Sequence, residues 1–161
     1  VCNVDEISLQ RENKHVDTIR EAVKDEDALV LVIATEIESE ISELEGIDEQ
    51  MMFLEELGLD KPGVHHLIEA TYNLLNLQTY FTAGEKEVRA WTITKGLKAP
   101  QAAGIIHTDF EKGFIRAEVI AYDDFVSLRS EQACRDNGKL SIEGKEYVIQ
   151  DGDIIHFRFN V

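Results

Sequence analysis

Four residues near the start of the chain, Asn3-Val4-Asp5-Glu6, place an amide and two carboxylates directly after a short apolar run. An asparagine amide can pair with the amino group and the neighbouring ring nitrogen of adenine, as proteins do on adenine in DNA. A second polar segment, Ala34-Thr35-Glu36, ends the next apolar run, ALVLVIA. Ligands of open α/β folds bind beyond the carboxyl ends of strands. One hypothesis is therefore a base-binding site; the other is a turn-forming asparagine with solvated acids.

Basic residues of the second half form another set of candidates. Phosphate binding needs clustered positive charge. The candidate contacts to RNA or to a protein partner are Arg89, Lys95, Lys98, Lys112, Arg116 and Arg158. The alternative for each of them is an ordinary solvated surface charge.

Histidines and cysteines predict neither catalysis nor metal binding. His107 and Asp109 are two residues apart, so they point to different faces of a helix, which makes paired ligation awkward. The neighbours His65-His66 also point apart. Cys2 and Cys134 do not form a disulfide framework, which favours a reducing compartment. We predict no catalytic residue and no metal ligand in this chain.

The elements of the first half predict a doubly wound α/β domain. A strand ends near Val4, Asn13 caps a helix, and residues 28–34 form a strand that is buried on both faces. Three further apolar stripes at helical spacing follow this strand. They consist of Ile37, Ile41 and Leu44, then Met51, Leu54 and Leu57, then Val64, Leu67, Ile68, Thr71, Leu74 and Leu75. The acidic run from Glu36 to Glu56 is expected to be a solvated helix face.

The second half predicts a helix across a sheet. Residues 88–124 read as a strand, a turn at Lys95-Gly96, one helix ending at Gly113, and a second strand. We further predict a short helix within residues 124–134 and a hairpin that pairs residues 140–142 with residues 147–149. A last strand has Ile155, Phe157 and Phe159 on its inner face. This order of elements is that of a β-grasp (ubiquitin-like) module.

Charge divides the chain and limits its partners. The net charge of −16 argues against broad nonspecific binding to nucleic acid, and we expect no DNA partner. Residues 1–77 hold 5 Lys and Arg against 19 Asp and Glu, whereas residues 78–161 hold 11 against 13. No apolar run reaches membrane-spanning length, so we expect no membrane association. The two halves therefore present different surfaces.

Two segments carry a family resemblance, WTITKGLKAPQAAGIIHTDFEKGFIRAEVIAYDDF and GKEYVIQDGDIIHFRFNV. They resemble the TGS domain at the C-terminus of the YchF subfamily, the Obg-like ATPases related to P-loop GTPases. The match continues upstream through FLEELGL and LIEATYNLLNLQTYFTAGEKEVRAW. The resemblance implies that residues 1–77 are the α/β tail of a doubly wound P-loop nucleotide-binding (OBG-type G) domain. Residues 78–161 would then be a complete α+β TGS domain with the β-grasp fold.

The resemblance also implies roles for the first candidates. Ordinary GTPases carry an Asn-Lys-x-Asp loop whose aspartate accepts two hydrogen bonds from guanine; here Val4 replaces the lysine and Glu6 the aspartate. YchF relatives share this departure, which goes with a preference for ATP over GTP. Base recognition is therefore assigned to Asn3, Val4 and Glu6. Backbone contacts to the base are assigned to Ala34 and Thr35, where GTPases carry Ser-Ala.

The function implied is that of a ribosome-associated YchF-type ATPase. Its members would bind ATP with Mg²⁺ and hydrolyse it slowly, and GTP weakly, as a translation- or stress-linked switch in the cytoplasm. Partners would be ATP and, through the TGS domain, the ribosome or RNA. The chain begins with Val1 and has no GxxxxGK[ST] phosphate loop, so we expect a C-terminal fragment that is inactive alone and binds no cofactor. The alternative is a noncatalytic RNA- or protein-binding β-grasp module.

Overall fold

The structure, a computed structural model, describes residues 1–26, 28–84 and 87–160. The chain divides into two compact units, one spanning Val1–Leu74 and the other beginning at Leu75. Each unit combines helices with a β-sheet, and the whole is of the α/β class. No helix in these three ranges is both long and apolar enough to cross a membrane.

The first unit pairs two short parallel strands, in which Cys2 lies opposite Val32 and Asn3 opposite Ile33. Its core consists of Ala34, Ile37, Ile41 and Leu54. The elements are β1 (Cys2–Asn3), α1 (Glu6–Gln10), α2 (Lys14–Ala22), β2 (Val32–Ile33), α3 (Thr35–Glu43), α4 (Ile47–Glu56) and α5 (Gly63–Leu74).

The predicted strand over residues 28–34 is wrong in its length and burial. Only Val32 and Ile33 form a strand, and Leu29 is exposed. Burial of a strand on both faces requires neighbours and covering helices along its whole length. Among the described residues β2 has one neighbouring strand, β1, and that strand is two residues long.

The predicted helices of this unit are confirmed, but not all their apolar stripes are buried. Asn13 caps α2 by accepting a hydrogen bond from the amide of His15, and Ile37 and Ile41 are buried on α3. In contrast, Met51 on α4 is exposed, and α5 has no buried residue. Helical periodicity therefore located these helices without showing which apolar faces are covered.

The second unit is built on a five-stranded mixed sheet with the strand order β4-β3-β7-β5-β6. Of the four strand pairs described in this sheet, β3–β7 is parallel and the other three are antiparallel. The strands are β3 (Leu77–Ala83), β4 (Val88–Thr94), β5 (Phe114–Ile120), β6 (Leu140–Glu143) and β7 (Ile154–Phe159). The helices are α6 (Ala99–Ile106), α7 (Thr108–Lys112), α8 (Tyr122–Leu128) and α9 (Glu131–Asp136).

Helix α6 supplies small residues to a core of aromatic and branched side chains. Ala99, Ala102 and Ala103 are fully buried, which allows the helix to approach the sheet closely. Tyr80 is also fully buried, and its hydroxyl donates a hydrogen bond of 2.9 Å to the carbonyl of Ala102. Phe157 lies edge-on to Tyr80 with ring centroids 5.9 Å apart, a favourable aromatic arrangement. The inward face predicted for β7 is confirmed, because Ile155 and Phe157 are buried.

Two helices predicted as continuous are interrupted. His107 has an extended backbone (φ −161°, ψ 140°) and separates α6 from α7; its ring Nδ1 accepts a hydrogen bond from the amide of Asp109 and so caps α7. The helix predicted over residues 124–134 is replaced by α8 and α9. Arg129, which ends α8, has a left-handed backbone (φ 63°) that a continuous helix cannot contain.

The predicted hairpin between residues 140–142 and 147–149 is wrong. β6 pairs with β5, whereas the amide of Ile149 donates to the carbonyl of Leu97 and the carbonyl of Tyr147 accepts from the amide of Ala99. Ile149 is buried in the core of the unit. The buried carboxylate of Asp153 accepts hydrogen bonds from the Tyr147 hydroxyl and the Gln150 amide, and its desolvation raises the pKa of Asp153. These tertiary contacts hold residues 147–149 away from β6, so the local hairpin does not form.

Candidate functional site

The first group of candidate residues surrounds the carboxyl end of β1. Asp5 caps α1, because its carboxylate accepts a hydrogen bond of 2.9 Å from the amide of Ser8. The hydrogen bonds with Ser8 lower the pKa of Asp5, so this carboxylate is ionised at neutral pH. Glu6 lies in the first turn of α1 with an exposed side chain. The same end of the sheet thus carries one carboxylate that caps a helix and a second one with an exposed side chain.

Asn3 joins the two predicted base-contacting segments. Its side-chain oxygen accepts hydrogen bonds from the amide of Thr35 (3.1 Å) and from the Thr35 hydroxyl (3.0 Å). Thr35 is the first residue of α3, and the position before it, Ala34, has no side chain that could cap the helix. Asn3 therefore supplies the cap from the neighbouring strand, and it satisfies an amide that the helix itself leaves unpaired.

These bonds restrict what Asn3 can offer to a ligand. An amide oxygen has two lone pairs, and Thr35 occupies both of them. In this arrangement the two hydrogens of Nδ2 are the groups of Asn3 that can bind a base. Asn3, Val4 and Asp5 also line a cavity of about 440 Å³, together with Asn13 and His15.

A second group of residues, which we call the arginine cluster, surrounds Glu118 on the sheet of the second unit: Arg116, Arg135 and Arg158. Arg158 donates to both carboxylate oxygens of Glu118, at 3.1 Å and 3.0 Å. Arg116 donates to one of these oxygens at 3.3 Å, and Arg135 lies 3.9 Å from the other. Cross-strand pairing on β5 and β7 produces this convergence, because Arg116 lies opposite Arg158.

Charge in the arginine cluster is unbalanced. The Glu118 side chain is 7% exposed, whereas its three arginine partners are 45–52% exposed. Hydrogen bonds from Arg158 hold the pKa of Glu118 below its usual value, and Glu118 in turn raises the pKa of Arg158. Hydrogen bonds to Glu118 therefore orient the guanidinium groups of Arg116 and Arg158, whereas Arg135 donates its hydrogen bond to Glu131. Each guanidinium has five N–H donors. Because Arg135 also pairs with Glu131 at 3.1 Å, the three arginines face two carboxylates, and an excess of one positive charge remains toward solvent.

The other predicted basic contacts lie apart from this cluster or have other partners. The guanidinium of Arg89 lies over the ring of Trp91, 4.2 Å from its centroid. Lys98 forms an ion pair with Glu146. Lys95 follows β4 in a turn, and Lys112 ends α7. The six candidates thus do not share one set of contacts.

Sequence reasoning missed Arg135 and Glu118. The only signal of Arg135 was its helical spacing from Glu131, with which it also pairs at 3.1 Å. Glu118 sits in an apolar strand, FIRAEVI, where a lone carboxylate indicates that partners are needed. Neither signal could show that three arginines converge.

Metal-ligating side chains do not gather in the described ranges 1–26, 28–84 and 87–160, where no group of three or more His, Cys, Asp or Glu could hold an ion. His66 pairs with Asp60 at 3.2 Å. The ring of His107 accepts a hydrogen bond from the main chain, as described above. Cys2 and Cys134 are both free thiols.

Comparison with known proteins gives a consistent relationship. Residues 77–160 match the family model YchF-GTPase_C, which is described as a protein of unknown function (DUF933). Proteins named ribosome-binding ATPase YchF from Bacillus subtilis and Haemophilus ducreyi are 57% and 54% identical over all of this chain. The chain spans 44% of the length of these curated relatives.

Solved structures agree with this relationship. The Schizosaccharomyces pombe YchF GTPase superposes with a TM-score of 0.81 at 39% identity, over 97% of this chain and 42% of that protein. A GTP-binding protein from Pyrococcus horikoshii shares the fold, with a TM-score of 0.64 at 18% identity over 94% of this chain and 43% of that one. The family predicted from the residues is confirmed, and the chain belongs to the YchF family.

Proposed function

We propose that this chain is part of a ribosome-binding ATPase of the YchF type. The names of its relatives and the match over the whole chain support this proposal. The intact protein would bind ATP with Mg²⁺ and hydrolyse it slowly, and GTP more weakly, as a translation- or stress-linked switch in the cytoplasm. Because the chain lacks a GxxxxGK[ST] loop, the phosphates and the metal would be held by other residues of the intact protein, and this chain alone would hydrolyse no ATP.

We further propose a role for each half of the chain, divided after residue 77. Residues 1–77 are the end of the nucleotide-binding domain, which agrees with the parallel β1–β2 pair and its helices. Residues 78–161 are a TGS domain with the β-grasp fold; support comes from the mixed sheet and from α6, whose buried alanines belong to the sheet's core cluster.

One observation supports the nucleotide proposal: Asn3 and Thr35 are joined by hydrogen bonds, so the two segments that we propose as base contacts lie side by side. Since the oxygen of Asn3 is occupied by Thr35, we assign its Nδ2 hydrogens to a ring nitrogen of adenine. The exocyclic amino group of adenine then needs another acceptor, and we assign the carboxylate of Glu6 to it. Val4 and the backbone of Ala34 and Thr35 would contact the faces and edges of the base.

The nucleotide proposal is tested by titrating the intact protein with fluorescent ATP and GTP. Replacement of Glu6 by the shorter aspartate should move the ATP-to-GTP preference toward GTP by about tenfold, since one charged hydrogen bond is worth about 1.5–3 kcal/mol. Glu12→Asp, an exposed acid outside the proposed site, is the matched control. An unchanged preference in Glu6→Asp would remove Glu6 from base recognition.

The arginine cluster supports the second part of the proposal, a contact with ribosomal RNA. Its excess charge and outward donors are the chemistry that phosphate oxygens require. Co-sedimentation of the 161-residue chain with ribosomes should weaken as salt is raised and should weaken further in Arg135→Gln. Arg89→Gln removes the same charge outside the cluster and should have the smaller effect. If ribosome co-sedimentation changes neither with salt concentration nor with Arg135→Gln, the arginine cluster does not have this role.

The alternative, a noncatalytic binding module, is favoured by one feature: the arginine cluster and the nucleotide candidates lie in different units. The two hypotheses differ in their dependence on nucleotide. If ribosome association of the intact protein is the same with ATP, with ADP and without nucleotide, the module hypothesis is preferred. A switch requires different affinities in these states.

A further inference from the structure

The apolar surface of helix α4 is wider than the part that the core of the first unit covers. Phe53, Leu54 and Leu57 pack with the core of the first unit. Met51, which lies on the predicted stripe with Leu54 and Leu57, is nevertheless 62% exposed, and Ile47 and Met52 are 77% and 72% exposed. A wide apolar helix surface is normally covered over its whole width.

The exposed part of α4 borders a groove of about 650 Å³. Leu54 and Leu59 contribute to its apolar lining, and Met51 and Met52 stand at its wall. Gly58 has a left-handed backbone (φ 68°), which turns the chain after α4 so that Leu59 and Asp60 return to the groove. Methionine is flexible and polarisable, so such a wall can adapt to partners of different shape.

Negative charge surrounds the same groove. Its charged lining residues are Asp48, Glu55 and Asp60, all of them acidic. Residues 35–60 contain ten Asp and Glu and no Lys or Arg. Asp60 also pairs with His66, and Lys61 beside it pairs with Glu69. The surface around the apolar wall is therefore strongly negative at neutral pH.

This combination selects one kind of occupant. RNA and anionic lipid surfaces would be repelled by the carboxylates. An extended peptide gains most of its affinity from an open strand edge, and the groove is formed by a helix and a loop instead. A helix satisfies its own backbone, so it needs only an apolar stripe for the groove and basic residues for the rim. We propose that the α4 groove binds a basic amphipathic helix of a partner protein.

The chain contains two methionines, and both line the groove. Selective ¹³C labelling of methionine methyl groups in the 161-residue chain therefore reports on the proposed site alone. The probe is a synthetic peptide of leucine and lysine at helical spacing, about 18 residues long so that it can form a helix. Both methyl signals should shift and saturate. A scrambled peptide of the same composition, which has no apolar face, should leave them unchanged, and equal shifts with both peptides would overturn the proposal.

Two pairs of variants separate the groove from general attraction to an acidic chain. Met51→Ser with Met52→Ser should weaken peptide binding, followed by fluorescence anisotropy, by at least about tenfold through loss of apolar burial. Val64→Ser with Ile68→Ser, an exposed apolar pair on α5, is the matched control. Asp48→Asn with Glu55→Gln should weaken binding more than Glu40→Gln with Glu43→Gln, which changes the net charge equally. Equal effects within either comparison would contradict the proposal.

The chain spans 44% of the length of its curated relatives. A last experiment therefore measures peptide binding to a protein of the relatives' full length. The peptide should bind the full-length protein with an affinity similar to that for the 161-residue chain. Loss of binding in the longer protein would show that its other residues cover the groove, and this result would also overturn the proposal.

Discussion

Different interactions stabilise the interior of each of the two units. Among the residues that the structure describes, the core cluster of the second unit has eleven buried members, whereas the corresponding cluster of the first unit has four. In the first unit, polar side chains cap helices that lie far from them in the sequence. Asn3 caps α3, and the Glu38 carboxylate accepts hydrogen bonds from the amides of Gly63 and Val64 at the start of α5.

This contrast predicts how substitutions in each unit change its stability. Burial of apolar surface is the dominant favourable contribution to folding, so the second unit should be the more stable of the two. In the first unit a helix end depends on one side chain, and removal of that side chain should act locally. The following experiments, from the largest expected effect to the smallest, test this comparison.

Replacement of Tyr80 by alanine should have the largest effect. Tyr80 is fully buried, stacks near Trp91 and contacts Phe157, so the cavity should cost about 3–5 kcal/mol of unfolding free energy. The single tryptophan of the chain, Trp91, lies in the second unit and reports on it by fluorescence during denaturant unfolding.

The matched experiment for the first unit is Ile41→Ala, since Ile41 is 4% exposed. It should lower the unfolding midpoint followed by circular dichroism while the transition followed by Trp91 fluorescence stays in place. If Ile41→Ala shifts the Trp91 transition as strongly as Tyr80→Ala does, the two units do not unfold independently and the comparison fails.

Removal of the Glu118 charge should have an intermediate effect. Glu118→Gln breaks the charged hydrogen bonds from Arg158 and leaves three arginines close to one another. We expect a loss of about 1–3 kcal/mol in unfolding free energy, less than for a fully buried pair because the arginines are half exposed. Glu131→Gln, at an exposed ion pair of α9, should change stability by less than about 1 kcal/mol. Similar losses in both variants would show that the arginine cluster is not a structural centre.

Glu118 should also give the second unit a pH dependence. Its pKa in the folded chain is held below the usual value by Arg158. The stabilisation is therefore complete above the unfolded-state pKa and is lost as the pH falls through the folded-state pKa. Denaturant unfolding monitored by Trp91 fluorescence between neutral and strongly acidic pH should show this decline. The decline should be smaller in Glu118→Gln.

The smallest expected effect concerns Asn3. Asn3→Ala removes the cap of α3 and should cost about 1 kcal/mol in the stability of the first unit. Asn3→Asp keeps an oxygen acceptor for Thr35 and should preserve most of that stability. Circular dichroism measures both variants, and Trp91 fluorescence should change in neither. A Trp91 transition that moves with Asn3→Ala would contradict a purely local cap.

Several features were predictable because they depend on neighbours in the sequence. Periodicity located α3 and β7, and Gly96, in the predicted turn after β4, has a positive φ of 88° as that turn requires. The quoted motifs were sufficient to predict the family. The signals for helices, strands and turns lie within a few residues of the element that they predict.

Other features were decided by contacts between distant residues. Local turn chemistry favoured a hairpin at Tyr147–Ile149, but buried contacts with Leu97 and Asp153 outweigh it. The break at His107 depends on a side-chain cap that helical periodicity does not contain.

By itself, the sequence determined the family, most of the helices and strands, and the division of charge between the two halves. Only the tertiary structure decided which candidates meet. Asn3 and Thr35 are 32 residues apart and share hydrogen bonds, and Arg158 reaches Glu118 across 40 residues. The helical pattern likewise predicted a buried Met51, whereas Met51 and Met52 on α4 are exposed. The physical reason is that local patterns set the conformation of a segment, whereas burial and charge pairing depend on what folding brings beside it.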